Sequence, residues 1–474
     1  MKIIKDINFS ILPSSLTFRG DLNRNFVHTQ LYNANLTTDG MDPYYERLFS
    51  FNRNYGLRWN FFKALSFDYN ARANAVIDEP DNFVEGDITT NAERDYILDQ
   101  ILNLGRMKNY NQNASMNLKL PLNKIPLTDW INSDVRYAVS YGWVTGSLNQ
   151  EDSLGNSFGN IINNSRDRSL TGKIDMVKLY NKVPFLKTIN TPARSNRSRA
   201  SQNKDEEVEN SLSSSLIVGK GILRLMMAIR AINLTYGIKE TTSLSGFLPV
   251  PNLFGMDSLW SAPGWRFLLG EQDADFRFTA AENGWITQTP LLTSPFMQSS
   301  SRNLSFNASI EPFKGLKIQL NGKRTSQGRY QEIFRYNSEI GGFGSLTPSR
   351  SGSYSISYLT IKSAFEEQKK MINGVEFETS PGFEQFKENI DIISGRLSNS
   401  LEASGISDRY DTISQDILVP AFLAAYTGEN AENAPMSVFP RIPIPNWRVD
   451  FAGLSKFCLL YTSPSPRDRT RSRM

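Results

Sequence analysis

The chain has 474 residues, 39% hydrophobic and 21% charged, with a formal net charge of +4. Mean hydropathy is −0.38, and the longest apolar stretch, LIVGKGILRLMMAI (216–229), carries Lys220 and Arg224, which excludes a spanning helix of roughly 18 apolar residues. A transmembrane β-barrel is not excluded, because it distributes its apolar residues over every second position.

The opening MKIIKDINFS lacks the apolar run and small-residue cleavage site of a secretory signal. Either the chain is cytosolic, or it is an interior piece of a longer exported one. Strand patterns then dominate. In SLTFRGDLNRNF (15–26), Leu16, Phe18, Leu22 and Phe26 oppose Thr17, Arg19, Asp21, Asn23 and Asn25, as expected where side chains alternate between faces. The next strand, FSFNRNYGLRWNF (49–61), places Phe49, Phe51, Tyr55, Leu57, Trp59 and Phe61 on one side. Ser50, Asn52, Asn54, Arg58 and Asn60 fall on the other. LSFDYNARANAVI (65–77) continues with Leu65, Phe67 and Tyr69 against Asp68, Asn70 and Arg72. A three-residue loop, Phe62 to Ala64, is expected to set Phe61 opposite Leu65, Trp59 opposite Phe67 and Leu57 opposite Tyr69, keeping apolar against apolar.

Further along, TTNAERDYILDQILNLG (89–105) offers a capping box from Thr90 to Glu93 and Gly105 as a stop. Strands follow in DVRYAVSYGW (134–143) and AINLTYGI (231–238). The polar, charged stretch ARSNRSRASQNKDEEVENS (193–211) reads as a disordered loop. LSFNASIEPFKGLKIQLNG (304–322) reads as two strands around EPFKG, and SYSISYLTI (353–361) starts as a strand and blurs. Helical spacing appears in FEQFKENIDIISGRL (383–397), with Phe383, Phe386, Ile390, Ile393 and Leu397 on one side, and in SQDILVPAFLAAY (414–426).

The final CLLYTSPSPRDRTRSRM (458–474) has no periodicity and resembles translated adapter read-through, so it is set aside as a non-native tail. Without it, basic residues fall from 52 to 48 and acidic ones from 48 to 47. The basic balance then gives no reason to expect nucleic acid as a partner. The one cysteine, Cys458, lies in this tail, leaving neither a disulfide framework nor a thiolate metal site.

Strand length separates two homes for the apolar side. Soluble strands average about 5–6 residues. Thirteen alternating residues span about 43 Å, or about 33 Å along a barrel axis at a 40° tilt, enough to cross the roughly 25 Å apolar band of an outer membrane. Phe49, Phe51, Tyr55, Leu57, Trp59, Phe61, Leu65, Phe67 and Tyr69 are therefore expected to face lipid. Ser50, Asn52, Asn54, Arg58, Asn60, Asp68, Asn70 and Arg72 are expected to face a wet lumen. Arg53 sits on the lipid side, eight residues from Phe61, which puts it about 20 Å up, near the far headgroups. The competing reading is a soluble β-sandwich with its polar faces outward.

Bond chemistry has little footing. A serine triad would need the single histidine, His28. VGKG (218–221) lacks the spacing of a phosphate loop, and NQEDSLGNSFGN (149–160) misses EF-hand spacing. No catalytic, cofactor or metal residue is assigned. EIGGFGSLTPS and FLPVPNLFG supply Gly341, Gly342, Phe343, Gly344, Pro249, Pro251 and Phe254. These are either turns between long strands or loops that gate a pore or dock a partner.

Several long strings are distinctive: NARANAVIDEP (70–80), LPLNKIPLTDWI (120–131), GFLPVPNLFGMD (246–257), APGWRFLLGEQ (262–272) and FPRIPIPNWRVDFAGLSKF (439–457). In these the chain resembles the SprA (Sov) family, the outer-membrane translocon of the type IX secretion system. The resemblance implies part of a large transmembrane antiparallel β-barrel with helical insertions, at the cell surface, exporting folded protein cargo and supporting gliding motility. It also implies a shuttle barrel that delivers cargo and a periplasmic plug. On this basis residues 1–363 are expected to be partial barrel, 364–430 a helical insertion, and 431–457 a return to barrel strands. A porin- or nutrient-receptor-like barrel and a soluble β-rich adhesin stay open as alternatives.

Overall fold

The computed structural model describes residues 9–29, 44–79, 91–147, 151–190, 227–313, 315–357, 369–372, 375–378, 380–402, 414–436 and 443–452. The expected loop at 193–211, Thr90 of the capping box and the tail at 458–474 lie outside them, as does the side chain of Glu93. Among the described residues the protein is mostly β, with 52% in strands.

Ten strands follow one another in sequence and in space: β1 (Ser15–Thr29), β2 (Tyr44–Phe62), β3 (Leu65–Val76), β4 (Arg106–Leu120), β5 (Ile131–Val144), β6 (Asn160–Asp175), β7 (Ile229–Phe247), β8 (Phe296–Ile310), β9 (Leu316–Asn337) and β10 (Gly342–Ile356). They run from 12 residues in β3 to 22 in β9, far beyond ordinary strand lengths. The sheet is antiparallel and does not close on itself. A short pair, β11 (Lys369–Ile372) and β12 (Val375–Glu378), stands apart, and β13 (Asn446–Phe451) adds an eleventh strand beside β9.

Between β2 and β3 the pairs Trp59–Phe67 and Leu57–Tyr69 form as the alternation requires. The turn itself is shorter than expected. Phe62 pairs with Leu65, and the register shifts between Asn60 and Phe62. A bulge absorbs the extra residue, so a two-residue turn, Lys63–Ala64, still keeps apolar opposite apolar. Helix α1 (Asn91–Leu102) precedes β4. Gly105 follows it at φ +67°, its N–H donating to the Gln100 carbonyl at 2.7 Å, a left-handed stop that suits glycine.

The chain divides into two compact units. The first comprises Met1–Lys178, Asn233–Asn303 and Ser326–Ser353. Its core lies on the face carrying Tyr55, Tyr69, Ala71 and Ala73, beneath the segment 248–295 that joins β7 to β8. Short helices α2 (Met176–Tyr180) and α3 (Pro184–Asn190) follow β6, while α4 (Trp265–Leu268) and α5 (Phe276–Glu282) belong to that joining segment. Phe267, Leu268 and Phe276 from the segment pack against Tyr110, Tyr141, Trp143 and Ile162 of the strands. Two glycines with positive φ permit this approach. A Cβ on Gly255 would lie 2.9 Å from the Tyr141 ring, and one on Gly270 would lie 2.7 Å from Val139 Cγ1.

The second unit comprises Leu179–Ile232, Leu304–Thr325 and Tyr354–Met474. Here α6 (Pro381–Glu402) packs on α7 (Gln415–Thr427). Ile393, Ile417, Ala421 and Ala424 are fully buried between them, with Phe386, Ile390 and Leu397 against this cluster. Phe383 stays 47% exposed, off the packed stripe. Ser414 caps α7 by accepting from the Asp416 N–H, and Gly428 ends it in the left-handed conformation. Among the described residues no helix is long and apolar enough to cross a membrane.

Candidate functional site

The two faces of the sheet differ in chemistry. On one, Asn70, Asn113, Ser140 and Ser165 fall in a single row across β3 to β6, set by the pairing register. Arg58 Nε donates to Asp68 Oδ1 at 2.6 Å, Arg72 Nε to Asn54 Oδ1 at 3.0 Å, and Asn60 Nδ2 to Ser14 Oγ at 3.0 Å. Asn52 pairs with Asn74, and Ser50 Oγ donates to the Asn23 carbonyl at 3.4 Å. The expected lumen-facing set therefore shares one face, held by exposed hydrogen bonds and ion pairs worth little individually in water. A cavity of about 350 Å³ runs along it past Asp68, Asn70, Ser140 and Ser165. A second, of about 1010 Å³, is lined by Asn111, Asn113, Ser140, Ser299, Gln327 and Ser353. Hydroxyl and amide side chains predominate in the larger cavity, which also carries Arg329, while the smaller one is lined by Asp68, Arg136, Asp167 and Lys239 as well.

The opposite face changes character along the strands. Near the β2–β3 turn it carries Trp59, Phe61, Leu65 and Phe67, joined in register by Met116 and Leu118 of β4 and Val135 of β5. Met116 is 42% exposed and Leu170 40%. Trp59 stacks on Phe61 at 4.3 Å between ring centroids, and its indole N–H donates to the Ser10 carbonyl at 2.9 Å. Leu57 lines a cavity of about 780 Å³. Phe49 is half-buried.

Farther from the turn the expectation of lipid contact fails. Tyr69 lies 5.9 Å from the Phe254 ring and donates to Gln112 Oε1 at 3.1 Å, and Tyr55 packs on the same core. Protein, not lipid, covers both tyrosines. The physical reason is the row of Ala71, Ala73 and Ala75, all 5% exposed or less. Their short side chains leave room for the segment 248–295 to lie against the sheet. Arg53 is likewise not near headgroups but 2% exposed inside protein. Its guanidinium carbon lies 5.2 Å from the Phe51 ring centroid, and its Nη2 is 4.0 Å from Met107 Sδ.

The covering segment is fastened by polar groups that alternation does not reveal. Asn164 Nδ2 donates to the carbonyls of Phe267 (3.0 Å) and Glu271 (2.8 Å). Beside it Arg166 and Arg168 of β6 both pair with Glu240 Oε2 of β7, a link between strands rather than to the cover. Arg277 of α5 forms an ion pair with Glu332 of β9. The candidate gating or docking residues lie in two places. Trp143 Nε1 donates to the Pro249 carbonyl at 3.0 Å, Pro251 is buried and Phe254 meets Tyr69, so FLPVPNLFG is the start of the cover. Gly342, Phe343 and Gly344 belong to β10, with Gly341 in the hairpin before it, and Phe343 stacks on Phe334 at 5.6 Å.

His28 stacks on Tyr45 at 4.8 Å. Among the described residues no three His, Cys, Asp or Glu side chains gather as a metal site. No family model matches the chain, and no curated protein matches it.

Proposed function

We propose that this chain forms an arc of a large outer-membrane β-barrel that conducts folded proteins, as the translocon of type IX secretion does. The observation that carries the reading is the run of ten consecutive antiparallel strands, 12–22 residues long, with hydrogen-bonding residues on one face. A wide wall of Asn, Ser and Thr suits a passage for varied folded surfaces, because it holds water and offers no deep apolar contact that would trap cargo. The exposed apolar rows near Trp59, Met116 and Leu170 are then the lipid belt. Edge strand β1 exposes Leu16 and Phe18, 78% and 65%, and an unpaired edge in lipid is prohibitively costly; further strands are proposed to pair there. A delivering barrel and a periplasmic plug would supply recognition and sealing.

The test is an in-frame deletion of β4 to β6 in the chromosomal parent gene. Expected is loss of folded cargo from the medium with its accumulation in the periplasm. Normal secretion with failed uptake of one small nutrient would replace this reading by a receptor barrel.

A further inference from the structure

The cavity of about 780 Å³ on the covered face has a composition the pore reading does not use. Its walls are Phe18, Tyr55, Tyr69, Tyr110, Trp143 and Phe254, with Arg53 among them. Arg53 is 2% exposed, and its Nε finds no hydrogen-bond partner. Among the described residues no acidic side chain lines the cavity. The other lining cation, Arg106, is already paired with Asp78 by bonds of 2.7 and 2.8 Å. A buried guanidinium without a counter-charge is costly. The Phe51 ring and the Met107 sulfur offset only part of that cost. What the site lacks is an oxyanion, and what its walls provide is a large apolar and aromatic surface.

We propose that this cavity binds a single-headed anionic amphiphile, with a carboxylate or phosphate on the Arg53 guanidinium and an apolar tail along the Tyr55, Tyr69 and Phe254 rings. The head supplies the counter-charge through a charge-assisted bond stronger than a neutral one. The volume falls in the range of sites for drug-sized molecules, which admits an acyl chain and excludes a folded partner. A fatty acid and a lipid phosphomonoester share this chemistry. The proposal is independent of secretion and stands or falls on binding.

The test is fluorescence quenching of the whole chain folded in maltoside micelles. Trp143 lines the cavity, so the part of the signal lost in Trp143→Phe reports it. Dibromostearate should quench that part saturably, and its methyl ester should need at least about tenfold more, the worth of one hydrogen bond to a charged group. Arg53→Met should make acid and ester alike. Brominated phosphatidic acid, run beside dibromostearate, identifies the source by whichever binds more tightly. Equal quenching by acid and ester in the unmodified chain overturns the proposal, as does unchanged acid quenching in a folded Arg53→Met. Should Arg53→Met fail to fold, the acid–ester comparison decides alone.

Discussion

Gln272 Nε2 donates a 2.6 Å hydrogen bond to Asn164 Oδ1, tying the segment 248–295 to the middle of β6. Gln272 in turn accepts from Thr242 Oγ1 at 2.7 Å, and Gln298 Nε2 donates to the Asp273 carbonyl at 2.6 Å. The cover is thus held by a connected set of amides and hydroxyls over β6, β7 and β8, in addition to its apolar core. Buried networks of this kind specify one arrangement when every member is satisfied.

Asn164→Leu should loosen the cover selectively. Asn164 is 1% exposed, and its loss removes a donor from the Glu271 carbonyl and the acceptor of one Gln272 amide proton, while the Phe267 carbonyl keeps the Gly270 N–H. Each buried group left unpaired costs about 1–3 kcal/mol. Hydrogen exchange should accelerate over residues 264–272 while β2 and β3 keep their protection. Uniform acceleration across the sheet would mean that the cover has no separate stability.

The ion pair of Arg277 and Glu332 makes a sharper forecast. Their side chains are 11% and 1% exposed. Tyr330 donates to Glu332 Oε2 at 2.7 Å, and the Arg277 guanidinium lies 4.2 Å from the Phe278 ring centroid. Glu332→Leu alone leaves an uncompensated buried cation and should cost about 3–5 kcal/mol. Arg277→Met combined with Glu332→Leu should recover most of it, because apolar residues of similar volume often replace a buried pair at little cost. Urea midpoints of the two single variants and the double variant measure the coupling. Additive losses would show that the two charges act independently.

The long strands were legible because their faces differ in polarity. Trp59–Phe67 and Leu57–Tyr69 follow directly from that contrast. Strand β4 carries the same contrast, Tyr110, Ala114, Met116 and Leu118 against Asn109, Asn111, Asn113 and Asn117, interrupted only by Gln112, whereas β6 does not. β6 places Ile162, Asn164 and Arg166 in one row facing the covering segment, so its apolar alternation is interrupted by the groups that fasten the cover. The same cause misplaced Tyr55, Tyr69 and Arg53. Alternation says that a face is apolar, not what lies on it. The run of Ala71, Ala73 and Ala75 held the missing information, since short side chains signal a close neighbour rather than fluid chains. Arg53 could be flagged as a misfit from sequence, but its neighbour across the sheet, Met107 of β4, is 54 residues away.

The loop after β5 should be acid-sensitive. Asp152 accepts from the Leu154 and Asn156 N–H groups at 2.9 Å and from Asn156 Nδ2 at 3.1 Å. These bonds, the Asn156 backbone first, lower its pKa from 3.8 to about 2. A lowered pKa means that the carboxylate favours the folded loop. The contribution is therefore complete above about 4 and is lost as the pH falls through about 2. Exchange of the Asn156 amide should rise over that interval beyond its intrinsic pH dependence. Asp152→Asn should remove the excess, and a profile unchanged by the substitution would assign the loop's order to other contacts.

Met116 separates the membrane reading from a soluble one. It sits in the row of Phe67 and Tyr137, 42% exposed, while Asn113 lies on the polar face beside Asn70 and Ser140. In water, Met116→Arg at such a site should change stability by no more than about 0.5 kcal/mol. Against hydrocarbon the same substitution, two residues in from the Phe61 end of the sheet, should cost up to about 1 kcal/mol, rising toward about 2–4 kcal/mol for arginine placed deeper. Folding into liposomes, followed by protease protection and urea titration, reads the difference. Asn113→Leu serves as the control for the wet face and should insert normally. If Met116→Arg inserts as well as the unmodified chain and Asn113→Leu does not, the polar face is the one that meets lipid, and the pore wall lies on the side of the covering segment.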